Sequence, residues 1–446
     1  MGHSDRRAFL KYSTCTAAAA LAGPFIAASR ASANDRIRAA VVGVRGRGVD
    51  HMSSLNRLGK ANVELVAICD CYENTVNERA GQFEKQFGKK LRTCIDMRDI
   101  FADKDIDVVT FAIPNHWHAL ATIWACEAGK DVYIEKPAAH TIEEGRRMVE
   151  TARKHKRIVQ VGTQCRSSAN IAEGIRKLHE GVIGEVYMAR GIAFKLRDTM
   201  GHPKDIPVPE SLDWDLWLGP AADRPYADIW YYQWNNFWDF GDGQIGNQGV
   251  HQIDVMRWGL KLDSHASMVQ SMGGALVHDE YRETPNMQSA SWTFDGRKTF
   301  AQFEVRQWYT TTEAGMGDEY PFVDGESVVG VTFFGSDGFM IIPDYSSYHT
   351  FMGAKRTPGP SNSDPKNPMG DLPHFENFIN AVRSRKHEDL NADIEEGHLG
   401  AAMFHLANIA YRTGKTLRFD PKTERFTDDD ANRLLGRTYR PPYTIH

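Results

Sequence analysis

Residues 37–48 read Ile-Arg-Ala-Ala-Val-Val-Gly-Val-Arg-Gly-Arg-Gly. An apolar run rich in strand-forming residues reaches Gly43, and glycines recur at 46 and 48 before a helix-like segment opens near Val49. Glycine permits φ above zero and lets a backbone and a helix N-terminus approach a ligand closely. The spacing departs from G-x-G-x-x-G: Gly43 and Gly48 take the first and third places, Arg45 takes the second, and Gly46 and Arg47 follow it. Working outward, 62–69, 107–113, 130–134 and 158–162 read as further strands, and 73–87, 118–128 and 142–154 read as helices. This alternation with short connections predicts a parallel sheet with right-handed crossovers.

Asp70 ends the second predicted strand, 22 residues past Gly48. A carboxylate there accepts hydrogen bonds from ribose hydroxyls and repels a 2′-phosphate, so the pattern predicts a dinucleotide site that prefers NAD to NADP.

The whole chain has 446 residues and a net charge of −5, with 41% hydrophobic residues. Length points to two or three domains, and the charge balance excludes a nucleic-acid-binding class. No long uncharged apolar run suggests a membrane span. Six cysteines are too few for a disulfide scaffold. Arg6-Arg7, the Ala-rich stretch 14–29 and Ala31-Ser32-Ala33 follow the order of a twin-arginine export signal. The expectation is a signal in 1–33, a mature chain from about Asn34 and a periplasmic or secreted protein. Cys15 falls in that signal, and the other five cysteines are expected as buried thiols.

Three strings carry a resemblance: Pro114-Asn115-His116-Trp117-His118, Glu135-Lys136-Pro137, and the stretch from Gly241 through Asn247 and His251 to Asp254. With the glycine loop and Asp70 they resemble the Gfo/Idh/MocA oxidoreductase family, which includes glucose–fructose oxidoreductase and inositol dehydrogenase. The resemblance implies an α/β plus α+β fold: a Rossmann domain (34–160), then a mostly antiparallel sheet with helices on one face (161–420), and a C-terminal extension (421–446). Predicted strands there are 184–195, 266–277, 288–294, 299–307, 328–335 and 338–345; 373–384 and 394–413 read as helices, and 357–369 as a loop. The resemblance also implies that Pro114, Asn115, His118, Glu135, Lys136 and Gln164 border the cofactor with the glycine loop. Many members carry Asp four residues before the His; here Asn247 stands there, and an amide cannot act as a base.

Oxidising an alcohol requires a proton acceptor within hydrogen-bond reach of the hydroxyl. Lys136, after a strand at the ligand side of the sheet, is the first candidate, and His251 a second that shares or relays the proton. Asn247 is expected one helical turn before His251 on the same face. Asp254 is expected to orient the His251 ring or to pair with Arg257. Arg166 reaches either a substrate carboxylate or phosphate, or a structural ion pair. Trp238, among Trp214, Trp217, Trp230, Trp234, Tyr231 and Tyr232, fits either a carbohydrate surface or a packed core. No metal site is expected.

Three functions follow. The first is an NAD-dependent oxidoreductase acting on a sugar, cyclitol or glycoside, with nucleotide retained and recycled. The second is a glycoside hydrolase or lyase working by transient oxidation and elimination. The third is a non-catalytic sugar-binding protein. A homo-oligomer, dimer or tetramer, is expected.

Overall fold

The computed structural model describes residues 36–204, 206–310, 313, 327–366 and 370–445; the signal read in 1–33 lies outside them. The first sheet contains β1 (Ile37–Val42), β2 (Val63–Cys69), β3 (Arg92–Cys94), β4 (Val108–Phe111), β5 (Asp131–Ile134) and β6 (Val159–Val161). All pairs are parallel, in the order β3-β2-β1-β4-β5-β6. The order reverses between β1 and β4, which opens a crevice at the carboxyl ends of the strands. Every residue of β4 and β5 is buried, as strands covered on both faces require. β3 is an addition to the predicted strands. Its three residues, Arg-Thr-Cys, are exposed or half-buried and give no apolar period to read.

A helix from far along the chain completes this domain. Asp371–Ser384 buries Phe375, Phe378 and Ile379 in the same core as Leu55 and Tyr133, with Tyr133 and Phe375 stacked at 4.3 Å. Each buried Phe contributes about 2 kcal/mol. A division at residue 160 therefore leaves out part of the first domain, because that part returns from beyond residue 370.

The second sheet contains β7 (Val186–Lys195), β8 (Met268–Gly274), β9 (Met287–Thr293), β10 (Phe300–Arg306), β11 (Ser327–Gly335), β12 (Gly338–Ile342), β13 (Tyr348–Met352), β14 (Thr357–Asn362), β15 (Leu417–Asp420) and β16 (Arg425–Phe426). Its order is β14-β13-β12-β11-β7-β10-β9-β8-β15-β16. Only the β7–β10 pair is parallel. Helices Ala169–His179, Gly249–Gly259 and Ile394–Thr413 share one core with it, including Ile253, Met256, Trp292, Phe303, Phe333 and Phe404. The two-domain α/β plus α+β architecture is the one the sequence predicts. The turns at Asp295-Gly296 and Ser336-Asp337-Gly338 join β9 to β10 and β11 to β12. The loop expected over 357–369 begins instead with the edge strand β14; Pro358 and Pro360 are tolerated because β14 pairs with β13 alone.

The last described residues fold back on helices Asn115–Glu127 and Ile142–Lys154 of the first domain. Arg437 Nε donates to Glu144 at 2.8 Å, and the rings of Tyr443 and Trp117 meet edge-on at 5.3 Å. Cys69, Cys126 and Cys165 are buried and form no disulfide, while Cys71 and Cys94 are half-buried. No helix among the described residues is long and apolar enough to cross a membrane.

Candidate active site

The crevice at the switch point is a cleft of about 610 Å³ bordered by Gly43, Arg45, Gly46, Asp70, Asn115 and Lys136 among others. Gly43 has φ +82°, and a Cβ on it would lie 2.4 Å from the Ala112 carbonyl oxygen. One on Gly48 would lie 1.8 Å from the Gly43 oxygen. These glycines are demanded by the turn itself. Gly46 differs: it borders the cleft, and a Cβ there would meet no protein atom within 4 Å. Asp70 accepts the Val44 N–H at 2.9 Å and the Tyr72 N–H at 3.0 Å. Burial raises its pKa, and the two N–H groups oppose that rise. Asn115, at the start of the helix Asn115–Glu127, donates to Asp242 at 2.6 Å, while its buried Oδ1 has no partner. A glycine turn with open space at Gly46, an acid closing β2 and a spare acceptor at a helix N-terminus fit a dinucleotide.

The other end is built around Glu135 and Lys136, which follow β5. Glu135 accepts from Arg47 Nε at 2.9 Å and sits 3.2 Å from His51 Nε2. Burial would raise its pKa, but the His51 hydrogen bond and the Arg47 and Lys136 charges outweigh burial and hold it well below the usual range. Arg47 is also paired with Asp371 at the start of the returning helix. Lys136 Nζ donates to the backbone oxygen of Asn247 at 2.9 Å and to its Oδ1 at 3.2 Å. Burial lowers the Lys136 pKa, Glu135 opposes this and Arg47 adds to it. The net shift is downward, so the unprotonated amine becomes available at a lower pH than that of an exposed lysine.

His251 feels the charges of this pair. Burial and the Lys136 charge push its pKa down to about 3, so the ring is neutral, and its buried Nδ1 has no partner. It borders Tyr345 at 5.5 Å and is absent from the cleft lining. Asn247 and His251 do not share one helix as expected. The helix Gly243–Asn247 ends at Asn247, and a second begins at Gly249.

Several expected site residues have protein partners. The His118 ring nitrogens face the Pro137 and Ile113 carbonyls at 2.6 and 2.8 Å. Gln164 is buried against Tyr133 and Glu135. Arg166 is taken up by Asp254 at 2.8 Å and Glu396 at 3.0 Å, so of its two readings the ion pair is the one formed. Asp254 therefore orients neither His251 nor Arg257; the latter pairs with Glu396. Trp238 lines a separate pocket with His140, Asp239 and Arg412. Most of the other aromatics form a packed cluster, yet Trp217, Tyr231 and Trp234 reach the cleft wall. Arg45 lies over Tyr232 at 4.1 Å and Tyr231 at 4.9 Å.

Sequence reasoning missed Met97, Arg98, Leu216 and Tyr443 on the wall. None stands in a motif, and Tyr443 arrives with the folded-back end. It also missed a cluster in which His265 and His398 Nε2 lie 2.8 and 3.0 Å from one Glu424 oxygen. Arg146 donates to the same oxygen at 2.6 Å and supplies the positive charge there.

Fold and cleft together define a two-domain dinucleotide-binding oxidoreductase. A family model described as an oxidoreductase family with an NAD-binding Rossmann fold matches residues 37–163, and the family's C-terminal alpha/beta model matches 185–281 and 362–445. Together they take in more than half of the chain, which belongs to the Gfo/Idh/MocA family. It is 30% identical over 181 residues to levoglucosan dehydrogenase of Pseudarthrobacter phenanthrenivorans, covering 41% of this chain and 40% of that one. It is 30% identical over 205 residues to a glycosyl hydrolase family 109 protein of Shewanella baltica, covering 44% and 42%. The chain thus spans about two-fifths of the length of these curated relatives. The fold matches the WlbA dehydrogenase of Bordetella pertussis, solved with NADH and UDP-GlcNAcA, at a TM-score of 0.62 and 20% identity, covering 86% of this chain and 100% of that one.

Proposed function

We propose that this protein is an NAD-dependent oxidoreductase that takes hydride from a secondary alcohol of a sugar, cyclitol or glycoside and keeps its nucleotide between turnovers. The observation that carries the reading is the placement of Lys136. A half-buried amine with a lowered pKa stands at the end of β5, on the cleft that the glycine turn and Asp70 border. Bound NAD supplies the hydride acceptor. Lys136 takes the proton of the alcohol as the C–H bond breaks. Asn247 orients the amine through two oxygens, and its amide leaves the base role to Lys136. His251 is neutral, and its open Nδ1 becomes a relay only where a ligand or water links it to Lys136.

Nucleotide retention is supported by the groups that wall the cleft: Arg45, which lies over Tyr231 and Tyr232, together with Trp217, Trp234 and Tyr443. The test is mass analysis of the nucleotide released on denaturing the purified protein, before and after incubation with sugars and glycosides. Bound NAD that becomes NADH, with a matching ketone, is expected; protein that neither carries nor takes up pyridine nucleotide ends the reading.

The family 109 match favours a second outcome, in which the oxidation is transient and a glycosidic bond is eliminated before hydride returns. Free aglycone without accumulated ketone or NADH would select it. Export through the signal in 1–33 belongs to the same proposal and is checked by the N-terminal sequence of the mature protein. A homodimer or tetramer is checked by sedimentation.

A further inference from the structure

β2 and β3 run parallel with Ala67 opposite Arg92, Ile68 opposite Thr93 and Cys69 opposite Cys94. Residues in register on adjacent strands send their side chains to the same side of a sheet. The packing agrees: Cys69 is buried in the core that holds Ile100, Phe101 and Phe111, and Cys94 packs against that core. Neighbouring strands lie about 4.8 Å apart, within the roughly 4.4–6.8 Å between Cα atoms that a disulfide spans. β3 is a three-residue edge strand paired with β2 alone, so a small shift of its backbone disturbs no second strand.

The two thiols are not equivalent. Cys69 is 1% exposed, while Cys94 is half-buried. The hydrogen bond with Cys94, with burial added, holds the Cys69 pKa up. The hydrogen bond with Cys69 brings the Cys94 pKa down, against burial and with the Arg92 charge adding to it. Cys94 is therefore the thiol that a small oxidant reaches first and the one with more thiolate to offer. Both stand at the acid that closes β2. Asp70 follows Cys69 directly, and its N–H donates to the Cys94 carbonyl oxygen at 3.2 Å. Cys69, Asp70 and Cys71 border the cleft, as do Ile95 and Asp96 just past Cys94, while Cys94 itself does not.

We infer that Cys69 and Cys94 are an oxidisable dithiol, that hydrogen peroxide joins them in a cross-strand disulfide, and that the joined form loses its grip on the nucleotide. In the first step the Cys94 thiolate attacks a peroxide oxygen, the O–O bond breaks, and a sulfenic acid forms at Cys94. The hydroxide that leaves takes up the proton Cys94 has lost. In the second step the Cys69 sulfur attacks the Cys94 sulfur, the S–O bond breaks, the S–S bond forms, and hydroxide leaves with the Cys69 proton as water. Two thiols are oxidised and one peroxide is reduced to two waters. The bridge draws β3 against β2 and shifts the carbonyl that anchors the Asp70 N–H. By linkage, bound nucleotide opposes the bridge as strongly as the bridge opposes nucleotide. The effect on nucleotide rests on the oxidoreductase reading; the bridge itself does not.

The test treats the full chain with hydrogen peroxide, with and without NAD, blocks the remaining thiols and maps the peptides. A peptide joining Cys69 to Cys94 is expected, formed more slowly when NAD is bound. Calorimetry on the bridged chain is expected to show a loss of NAD affinity of about tenfold, the worth of roughly one hydrogen bond at Asp70, recovered on reduction with dithiothreitol. Cys94→Ser is expected to bind NAD as the parent does and to keep that affinity after peroxide. Thermal unfolding reports that the variant is folded, and Cys94→Ala provides a second one. Absence of a Cys69–Cys94 peptide, unchanged NAD affinity in the bridged chain, or an equal peroxide-induced loss in Cys94→Ser overturns the inference and leaves the oxidoreductase reading in place. A reduced chain that takes up no NAD overturns that reading and the nucleotide half of this one, and the peptide map still decides the bridge.

Discussion

Gly43, Gly46 and Gly48 lie within a single turn, whereas Lys136, Asn247 and Lys195 come from three elements of two domains. Lys136 and its Asn247 partner are 111 residues apart, and Lys195 and Gln248 are 53 apart. The first region is shaped by sterics: its backbone passes so close to itself that side chains are excluded. The second is shaped by charge: two amines face amide oxygens, while nearby carboxylates are held by arginines. The glycine-turn end of the cleft is thus written locally, and the Lys136 end exists only after the domains meet.

The largest expected effect tests the steric half of this contrast. In Gly48→Ala the added carbon would sit 1.8 Å from a backbone oxygen that cannot swing away. The variant is expected to lose nucleotide altogether and to be destabilised by about 3 kcal/mol or more, seen by thermal unfolding and by nucleotide content. Gly46→Ala meets no protein atom, so its unfolding midpoint should stay within about 0.5 kcal/mol of the parent. Its nucleotide affinity should still fall. Unchanged affinity in Gly46→Ala would break the comparison, because the open side of the loop would then face no ligand.

The next effect tests the charged half. Lys136→Met should keep nucleotide and fold but lower turnover by about 10²- to 10⁴-fold. The sign of the pH dependence follows from the lowered Lys136 pKa. Deprotonated amine is the base, so kcat/KM for oxidation should rise with pH along a limb centred below an ordinary lysine's pKa of about 10.4. A pH profile on a slow substrate checks this. Persistence of that limb in Lys136→Met would assign it to another group.

This division also explains what the sequence reveals. The strand, glycine turn and acid at 70 are neighbours along the chain, and their periodicity and spacing suffice to place them. Glu135-Lys136 is legible because it ends a buried strand. The pairing of Lys136 with Asn247 is not, since helix period puts Asn247 on the His251 face until the break at Gln248 separates them. Arg166 and His118 carry chemistry suited to ligands, yet Asp254 and two carbonyls reach them first. A charged or ring-nitrogen side chain announces what it can bind, while only packing decides what it does bind. The same limit hid β3, which is short and polar; that chain from the C-terminal region returns to the nucleotide domain is implied by the family resemblance, but not that Asp371–Ser384 is the segment that docks. The apolar face of that helix is readable, but the sheet it covers is not.

The smallest expected effect concerns the chain end, where the two kinds of region meet. Tyr443 presents a ring to the cleft and to Trp117, and its hydroxyl donates to Asp215 at 3.0 Å. Asp215 is largely exposed, its side chain retaining 64% of its accessible surface. A hydrogen bond to such a carboxylate contributes little, about 1 kcal/mol or less. Tyr443→Phe should therefore leave nucleotide release nearly unchanged. Tyr443→Leu keeps an apolar group against Trp117 but shortens the wall, and should speed release by about fivefold, the equivalent of losing one or two methylene-sized contacts. Dilution of NAD-loaded protein followed by loss of bound nucleotide measures both. If Phe and Leu accelerate release equally, the hydroxyl and its acid hold the end in place, and the closure is electrostatic like the Lys136 end. If only Leu does, the ring itself is the barrier, and the chain end extends the steric logic of the glycine turn to the far wall of the cleft.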